Sequence, residues 1–541
     1  MSYDEDLADD VMSVYSTLKQ HRTSFWDPAW QAIARLLFPR EPNILMGTGS
    51  KKWRPNNKMF DRTGAEALDI ATNGIVSQWI SPVRQWMKMT VEDQQLADKQ
   101  AVRVWLEQTT ADMLAIFART NVYGAMGRFV RDSLWASSVV YIEEDADKVI
   151  RLYPEEVGTF CIGKDDKGDA NIIIREFALT ARNIRKKFPD AVLPKDVMNA
   201  MGPGQNGLAE FTVIHYVGVN PCLDKTALDY NSKPFLSIYL VCDTIISMGG
   251  YDMFPYLVGE WTPEGEDVYS VTPALAAYGD MRSLQIYAKG KLKAGEKMVD
   301  PALAVPAGVS DVKRDPGSEV TVTGGDRVHN LEEIRYDWNG VQIVTSELKE
   351  SVQRAFYVPL FQHFLNSTRR EQTAEEVRAK LDEQYASFGP IIANMNTKVA
   401  AYLIDYTFAI MVKQKRLRPI PVELRGVPLK IVYLSEFERA QQTSALRQLQ
   451  GFALDLVNWL PLIQNPPDQI DVDELIQKSA ELRQIPETIV RDDFDIRKRQ
   501  QAKAKLVQQH MQQQQEAQQA QNTLALGKAR VTPETALGQM T

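Results

Sequence analysis

From Thr373 onward, apolar side chains return every three or four residues: Val377, Leu381, Tyr385, Phe388, Ile392, Met395, Val399, Tyr402, Tyr406 and Ile410. That spacing puts them on one face of a single α-helix of about forty residues, roughly 60 Å long. Thr373-Ala374-Glu375-Glu376 marks its start as a capping box, with the Thr373 hydroxyl and the Glu376 carboxylate each satisfying a backbone amide. Gly389-Pro390 lies inside the helix. The proline removes an amide and crowds the preceding turn, so the pattern predicts a kink there and not a stop. A helix this long with one narrow stripe has more lateral surface than a single compact domain covers. Either it belongs to a helical hairpin buried in its own subunit, or it packs against copies of itself around a ring.

Two shorter helices precede it. The first runs from Pro273 to about Lys297, with Thr272 as N-cap and Leu275, Tyr278, Met281, Leu284, Ala288 and Leu292 as its stripe. The second runs from about Asn339 to Phe356, with Val341, Val344, Leu348, Val352 and Ala355 on one face. Between them, residues 299–336 are punctuated by Pro and Gly and hold short alternating strands such as Glu319–Val322. After them, Tyr357–Gln372 breaks the periodicity with Pro359 and mixed polar residues.

The N-terminal part mixes both periods. Residues 4–38 read as two helices, with Asp27-Pro28 capping the second; further helices are expected near Thr63–Ile80, 95–119 and 123–136. From Val139 the period becomes two. Val139–Glu143, Val149–Tyr153, Thr159–Ile162, Ile172–Phe177, Glu210–Val217 and Leu236–Val241 read as strands, with Asp165–Asp169 as a hairpin turn. Val422–Leu424 and Leu429–Tyr433 read as strands returning to this body. Ser435-x-x-Glu438 is a second capping box opening a helical segment. From Gln500 to Gln521 about half the residues are Gln, which allows a long polar helix or a disordered tail. The fold class is α+β, mostly α.

Composition narrows the chemistry. The opening MSYDEDLADD lacks a signal-peptide pattern, and no uninterrupted apolar run reaches the ~18 residues of a membrane span. Three widely spaced cysteines, Cys161, Cys222 and Cys242, suggest neither a disulfide framework nor a zinc site. A net charge of −8 is the wrong sign for holding DNA tightly. It suits a surface that DNA must slide past.

Gly158-Thr159-Phe160-Cys161-Ile162-Gly163-Lys164 fits GxxxxGK. A phosphate loop also needs Ser or Thr next and a helix behind it, whereas Asp165 and Asp166 follow here between two strands. There is no HExxH and no GxSxG, and the five histidines are scattered. Glu143-Glu144-Asp145 and Asp492-Asp493 could bind a cation but read more simply as solvated element ends. No catalytic group, cofactor or metal is implied.

Two stretches resemble the head-to-tail connector, or portal, proteins of T7-like short-tailed phages (the podovirus portal family). One is REQTAEEVRAKLDEQYASFGP (Arg370–Pro390), an Arg, then Thr-Ala-x-Glu-Val leading a helix with a Gly-Pro interruption. The other is YDMFPYLVGEWTPEGEDVYSVTPALAAYGDMRSL (Tyr251–Leu284), entering the first helix. The chain departs at Tyr269-Ser270-Val271-Thr272, where the family has Tyr-Gly before Pro-Ala, and lacks a proline near Ala401. The resemblance implies a portal fold: an α/β wing over 1–267, stem helix 1 over 268–298, a clip over 299–336 and stem helix 2 over 337–357. A tunnel loop over 358–372 follows, then the long kinked helix and return strands over 373–434. A helical crown over 435–499 and a Gln-rich barrel or tail over 500–541 complete it.

By the same resemblance the chain would form a ring, a dodecamer by the family's number, at a capsid vertex of the virion, after assembly in the host cytoplasm. Double-stranded DNA would pass through it, driven by the terminase large subunit and later released toward tail adaptor proteins; major capsid and scaffold proteins would be neighbours. Phe361, His363, Asn366, Arg369 and Arg370 would be the DNA-facing groups of the tunnel loop, and Lys313, Arg314 and Arg327 the clip's partner contacts. The competing reading is an NTP-binding enzyme acting on nucleic acid through residues 158–164. A third is an internal virion or scaffold protein that forms no closed ring.

Overall fold

The computed structural model describes residues 3–44, 55–300, 303–305, 329–330, 337–362, 389–433 and 451, apart from a few single positions. The chain divides into two compact units, residues 1–86 with 112–417 and residues 87–111 with 418–541.

The first unit opens with α1 (Tyr3–His21), which passes through a π-helical turn, Arg22–Trp26, into α2 (Asp27–Leu37). Pro28 sits in the first turn of α2, where its missing amide costs nothing. Then comes α3 (Thr63–Trp79). Strand β1 (Met87–Val91), the single turn α4 (Gln94–Ala97) and the first half of α5 (Gln100–Arg119) fall in the second unit by sequence. The first unit resumes with the rest of α5 and with α6 (Val122–Trp135).

Two antiparallel sheets follow. Strands β2 (Ser138–Asp145), β3 (Val149–Pro154) and β9 (Tyr256–Gly259) form one, in the order β3-β2-β9. The other has five strands in sequence order: β4 (Phe160–Lys164), β5 (Ala170–Thr180), β6 (Glu210–Val219), β7 (Phe235–Val241) and β8 (Thr244–Tyr251). Helices α7 (Ala181–Lys187) and α8 (Lys195–Ala200) connect β5 to β6. Alternation along the strands sends side chains to opposite faces. Leu236, Ile238 and Leu240 pack with Ala8 and Val11 of α1, while Val213 and Val241 pack with Ile184 of α7 and Val197 of α8. The five-stranded sheet is therefore covered by helix on both faces.

The helical region begins at α9 (Pro273–Ala276), where the Thr272 hydroxyl accepts from the Leu275 amide at 3.2 Å, the expected N-cap. Next are α10 (Tyr278–Val299), the minimal ladder of β10 (Leu303–Ala304) with β11 (His329–Asn330), α11 (Trp338–Ala355) and α12 (Val358–Gln362). The long helix is described from Gly389. It is interrupted by a second π turn, Asn396–Ala400, and continues as α13 (Ala401–Lys413).

In the second unit β1 pairs antiparallel with β12 (Leu429–Tyr433), from Met87↔Tyr433 to Val91↔Leu429. Met87, Met89 and Val91 are buried, as are Val102 and Leu106 of α5. On its other side β1 is tied to α5 by the Met89 amide, which donates to Thr110 Oγ1 at 3.2 Å.

The chain is mixed α/β with small sheets, as its periodicities indicate, and the six strands expected between Val139 and Val241 are present, while Glu319–Val322 lies outside the described residues. Two expectations need correction. Leu429–Tyr433 is a strand, but its partner is β1, which the sequence reading did not find, so the two make a separate ladder. Val422–Leu424 is a 3-10 turn following Pro421, whose fixed φ favours a turn over a strand interior.

Candidate functional site

The pair α10 and α11 is the framework on which the expected channel residues would stand. Asp337 caps α11 by accepting from the Gly340 amide at 3.0 Å. Across the pair, Ser351 Oγ donates to Asp280 Oδ2 at 2.6 Å and Lys291 Nζ to Thr345 Oγ1 at 3.4 Å. Gln285 fastens α10 to the chain before α3: its Oε1 accepts from the Phe60 and Asp61 amides and its Nε2 donates to the Asp61 carbonyl.

The buried face of each helix departs slightly from the sequence stripe. On α10, Met281 and Leu284 are buried but Leu292 is exposed, and Ala294 is buried instead. Two consecutive four-residue steps, 284 to 288 to 292, turn a straight helix about 80° past its starting direction. On α11, Val344 is exposed and Thr345 is buried, its hydroxyl satisfied by the Val341 carbonyl at 2.9 Å. The helix pair thus leaves apolar side chains exposed: Leu292 and Val299 (88 % exposed) stand seven residues apart on one face of α10, while Ile286 (64 %) and Met298 point to other sides of it, and Ile343 is exposed on α11. A cleft of about 890 Å³ opens beside α10, lined by Phe60, Ala288, Leu292 and Val299 among others.

Of the expected tunnel-loop residues, Phe361 is described, and within the subunit it does not face outward. It is 5 % exposed, and its ring lies so close to α3 that a Cβ at Gly74 would sit 2.3 Å from two of its carbons. Leu360 is buried too. Both anchor the start of the 358–372 segment to their own subunit. The reason is helical continuation: Tyr357 takes a left-handed φ of +58° and the chain re-enters one more helical turn, α12, which folds inward. His363, Asn366, Arg369, Arg370, Thr373 and Glu376 lie outside the described residues, as do Lys313, Arg314 and Arg327. Gly389 and Pro390 are helical, with Pro390 exposed; the chain before them lies outside the described residues.

The GxxxxGK segment is not a phosphate loop. Gly158 has φ +91° and leads into strand β4, and Asp165–Asp169 closes the hairpin to β5. Lys164 is taken up by the protein itself: its Nζ lies 2.7 Å from Glu260 Oε1 and donates to the Asp267 carbonyl at 3.0 Å. Neither a free lysine nor a helix N-terminus is offered to a nucleotide.

A Ser–His pair that spacing did not reveal occurs between β6 and β7, where His215 Nε2 lies 3.0 Å from Ser237 Oγ. His215 is fully buried, stacked on Tyr239 at 3.9 Å, with Nδ1 3.2 Å from the Tyr256 hydroxyl. Burial, reinforced by Arg175 and Lys187, holds its imidazole well below the ordinary 6.5. No substrate reaches a pair so enclosed. The carboxylates Glu144 and Asp145 are used structurally: Glu144 binds Lys413 at 2.7 Å, and Asp145 accepts from the Asp147 and Lys148 amides. Among the described residues no group of three or more His, Cys, Asp or Glu side chains is placed to hold a metal ion. No described helix is long and apolar enough to cross a membrane.

Among the described residues the geometry offers a helix pair with exposed apolar side chains beside a cleft, and known proteins resemble the chain over most of its length. The chain is 28 % identical over 497 residues to the portal protein of Salmonella phage epsilon15, covering 89 % of this chain and 88 % of that one. It is 27 % identical over 494 residues to the probable portal protein of Bordetella phage BPP-1, with the same coverage. Among solved structures, a chain of the virion of the native gene transfer agent (GTA) particle aligns over 80 % of this chain and 96 % of its own, at 10 % identity and a TM-score of 0.36, too loose a likeness to carry weight. The family model described as bacteriophage head to tail connecting protein matches residues 8–490. The match is to the family as a whole and does not single out its T7-like members. The chain belongs to the family of bacteriophage head to tail connecting proteins, and its function is that of a phage portal, or connector.

Proposed function

We propose that copies of this chain close into a ring, a dodecamer, through which double-stranded DNA enters and leaves the capsid. The observation that carries the reading is the exposed apolar face of α10 at Leu292 and Val299, beside the cleft. The two share one side of the helix, and a neighbouring copy of the same helix pair would cover them. In this arrangement residues 1–267 form the wing, α10 and α11 the stem, 299–336 the clip and 435–499 the crown. The net charge of −8 keeps the lining from trapping the duplex. His363, Asn366, Arg369 and Arg370 touch phosphates singly and weakly, while Phe361 holds the base of their loop in place. Terminase docks at the clip during packaging and tail adaptors dock there afterwards; Lys313, Arg314 and Arg327 meet them. Assembly takes place in the host cytoplasm, with capsid and scaffold proteins around the wing.

Negative-stain electron microscopy of the purified full-length protein tests this. Annular particles with a central hole are expected. A chain that sediments as a monodisperse monomer under every condition tried overturns the ring.

A further inference from the structure

The described part of the long helix has two breaks in its hydrogen-bond ladder. Pro390 has no amide proton to give. Asn396–Ala400 is a π turn, which carries one residue more than an α-helical ladder accommodates. Such a turn persists only where its surroundings hold it, and here three side chains do. Asn394 Nδ2 donates to the Glu260 carbonyl at 3.2 Å, Trp79 Nε1 donates to Asn396 Oδ1 at 2.7 Å, and Lys398 Nζ donates to Glu260 Oε2 at 2.9 Å. Glu260 therefore grips the helix twice, by its backbone just ahead of the turn and by its carboxylate within it. Its other carboxylate oxygen binds Lys164, which fixes the grip to β4.

The π turn Arg22–Trp26 makes the contrast. There the buried Arg22 guanidinium lies 3.0 Å from Asp27 and donates to the Phe160 carbonyl, and both side chains of the pair are almost wholly enclosed. Opening it means opening the core. At the second turn the grip ends on Lys398, which is 38 % exposed, and on its more distant neighbour Asp169, 69 % exposed. The Lys398 end of this grip is open to solvent, whereas the Glu260 side chain (6 % exposed), Met395, Asn396, Val399 and Ala400 are buried.

We infer that residues 389–400 form a swivel latched by Glu260. With Lys398 on Glu260, the surplus residue is held at Asn396–Ala400 and the segment ahead of it points one way. When that pair opens, the surplus residue migrates toward Pro390, where the ladder is already broken. Residues 391–395 then join the register of α13, turning by about 100° and advancing by about 1.5 Å, which takes Asn394 off the Glu260 carbonyl and moves Met395 from its buried place. The device belongs to a single subunit and does not depend on the ring.

In the full-length protein, Lys398→Met keeps the aliphatic stem and removes the charge. Hydrogen–deuterium exchange read by mass spectrometry should show peptides spanning 389–400 exchanging about two- to fivefold faster, with α3 and the five-stranded sheet unchanged. Deleting Thr397, which is exposed, removes the surplus residue. That variant should fold, and the same peptides should exchange more slowly than in the parent, because a continuous α-ladder replaces the turn. Unchanged exchange in Lys398→Met overturns the latch, as does an acceleration spread evenly over the sheets. A deletion variant that does not fold shows the turn to be an obligatory part of the packing and overturns the swivel.

Discussion

Gly74 and Phe361 show how much a single contact decides. An α-helix interior gains from alanine, which is ordinarily about 1 kcal/mol better there than glycine. At Gly74 the sign reverses, because the added methyl would lie 2.3 Å from the Phe361 ring. Gly74→Ala should destabilise the protein by about 1–3 kcal/mol in a thermal or denaturant melt, and Phe361→Leu in the same chain should recover part of that loss. His215 makes a second residue-level prediction, through linkage. Its folded pKa is depressed, so the native state holds it neutral while the unfolded chain takes up a proton below 6.5. The stability it contributes is complete above 6.5 and falls as the pH drops toward the folded value. The melting temperature should decline from about pH 7 to about pH 5, and His215→Asn should lower it overall while flattening that decline. Neither site was legible in the sequence. Gly74 and Phe361 stand far apart along the chain, and the partners of His215, Ser237 and Tyr256, meet it only through the order in which strands β6, β7 and β9 pack.

At the scale of elements the sequence was more open. Thr272 before Pro273 announces a helix start through local chemistry alone, and the structure keeps it. The alternating runs that became β2 through β7 were visible because each strand offers side chains to two different environments. Strand β8 was hidden by Gly249 and Gly250, which carry no alternation, and β9 by its length of four residues. The stripes of α10 and α11 were readable except where they mattered most. Leu292 and Val344 fit the spacing, yet both are exposed, and Leu292 with Val299 makes the face proposed above for subunit contact. Replacing Leu292 and Val299 together by Glu should leave the circular dichroism spectrum as in the parent and cost the subunit itself no more than about 0.5 kcal/mol, since both lie outside the core. The same variant should sediment as a monomer. A ring that survives it would place the contact elsewhere.

For the whole molecule, the tunnel-loop and clip side chains follow from the resemblance and not from any contact described here, because a lining is defined by neighbours that a lone subunit does not contain. Family membership was legible, since it rested on two long runs with ordered aromatic, proline and glycine landmarks. The smallest sheet among the described residues has a consequence for what the helix pair tolerates. Leu303 faces Asn330 and Ala304 faces His329, so the excursion after α10 leaves and rejoins the helix pair at one doorway. A change of length between Ala304 and His329 would leave the span between α10 and α11 set by that ladder. Residues gained or lost there would fall on a segment pinned at both ends, and the packing of α10 on α11 would not have to answer for them.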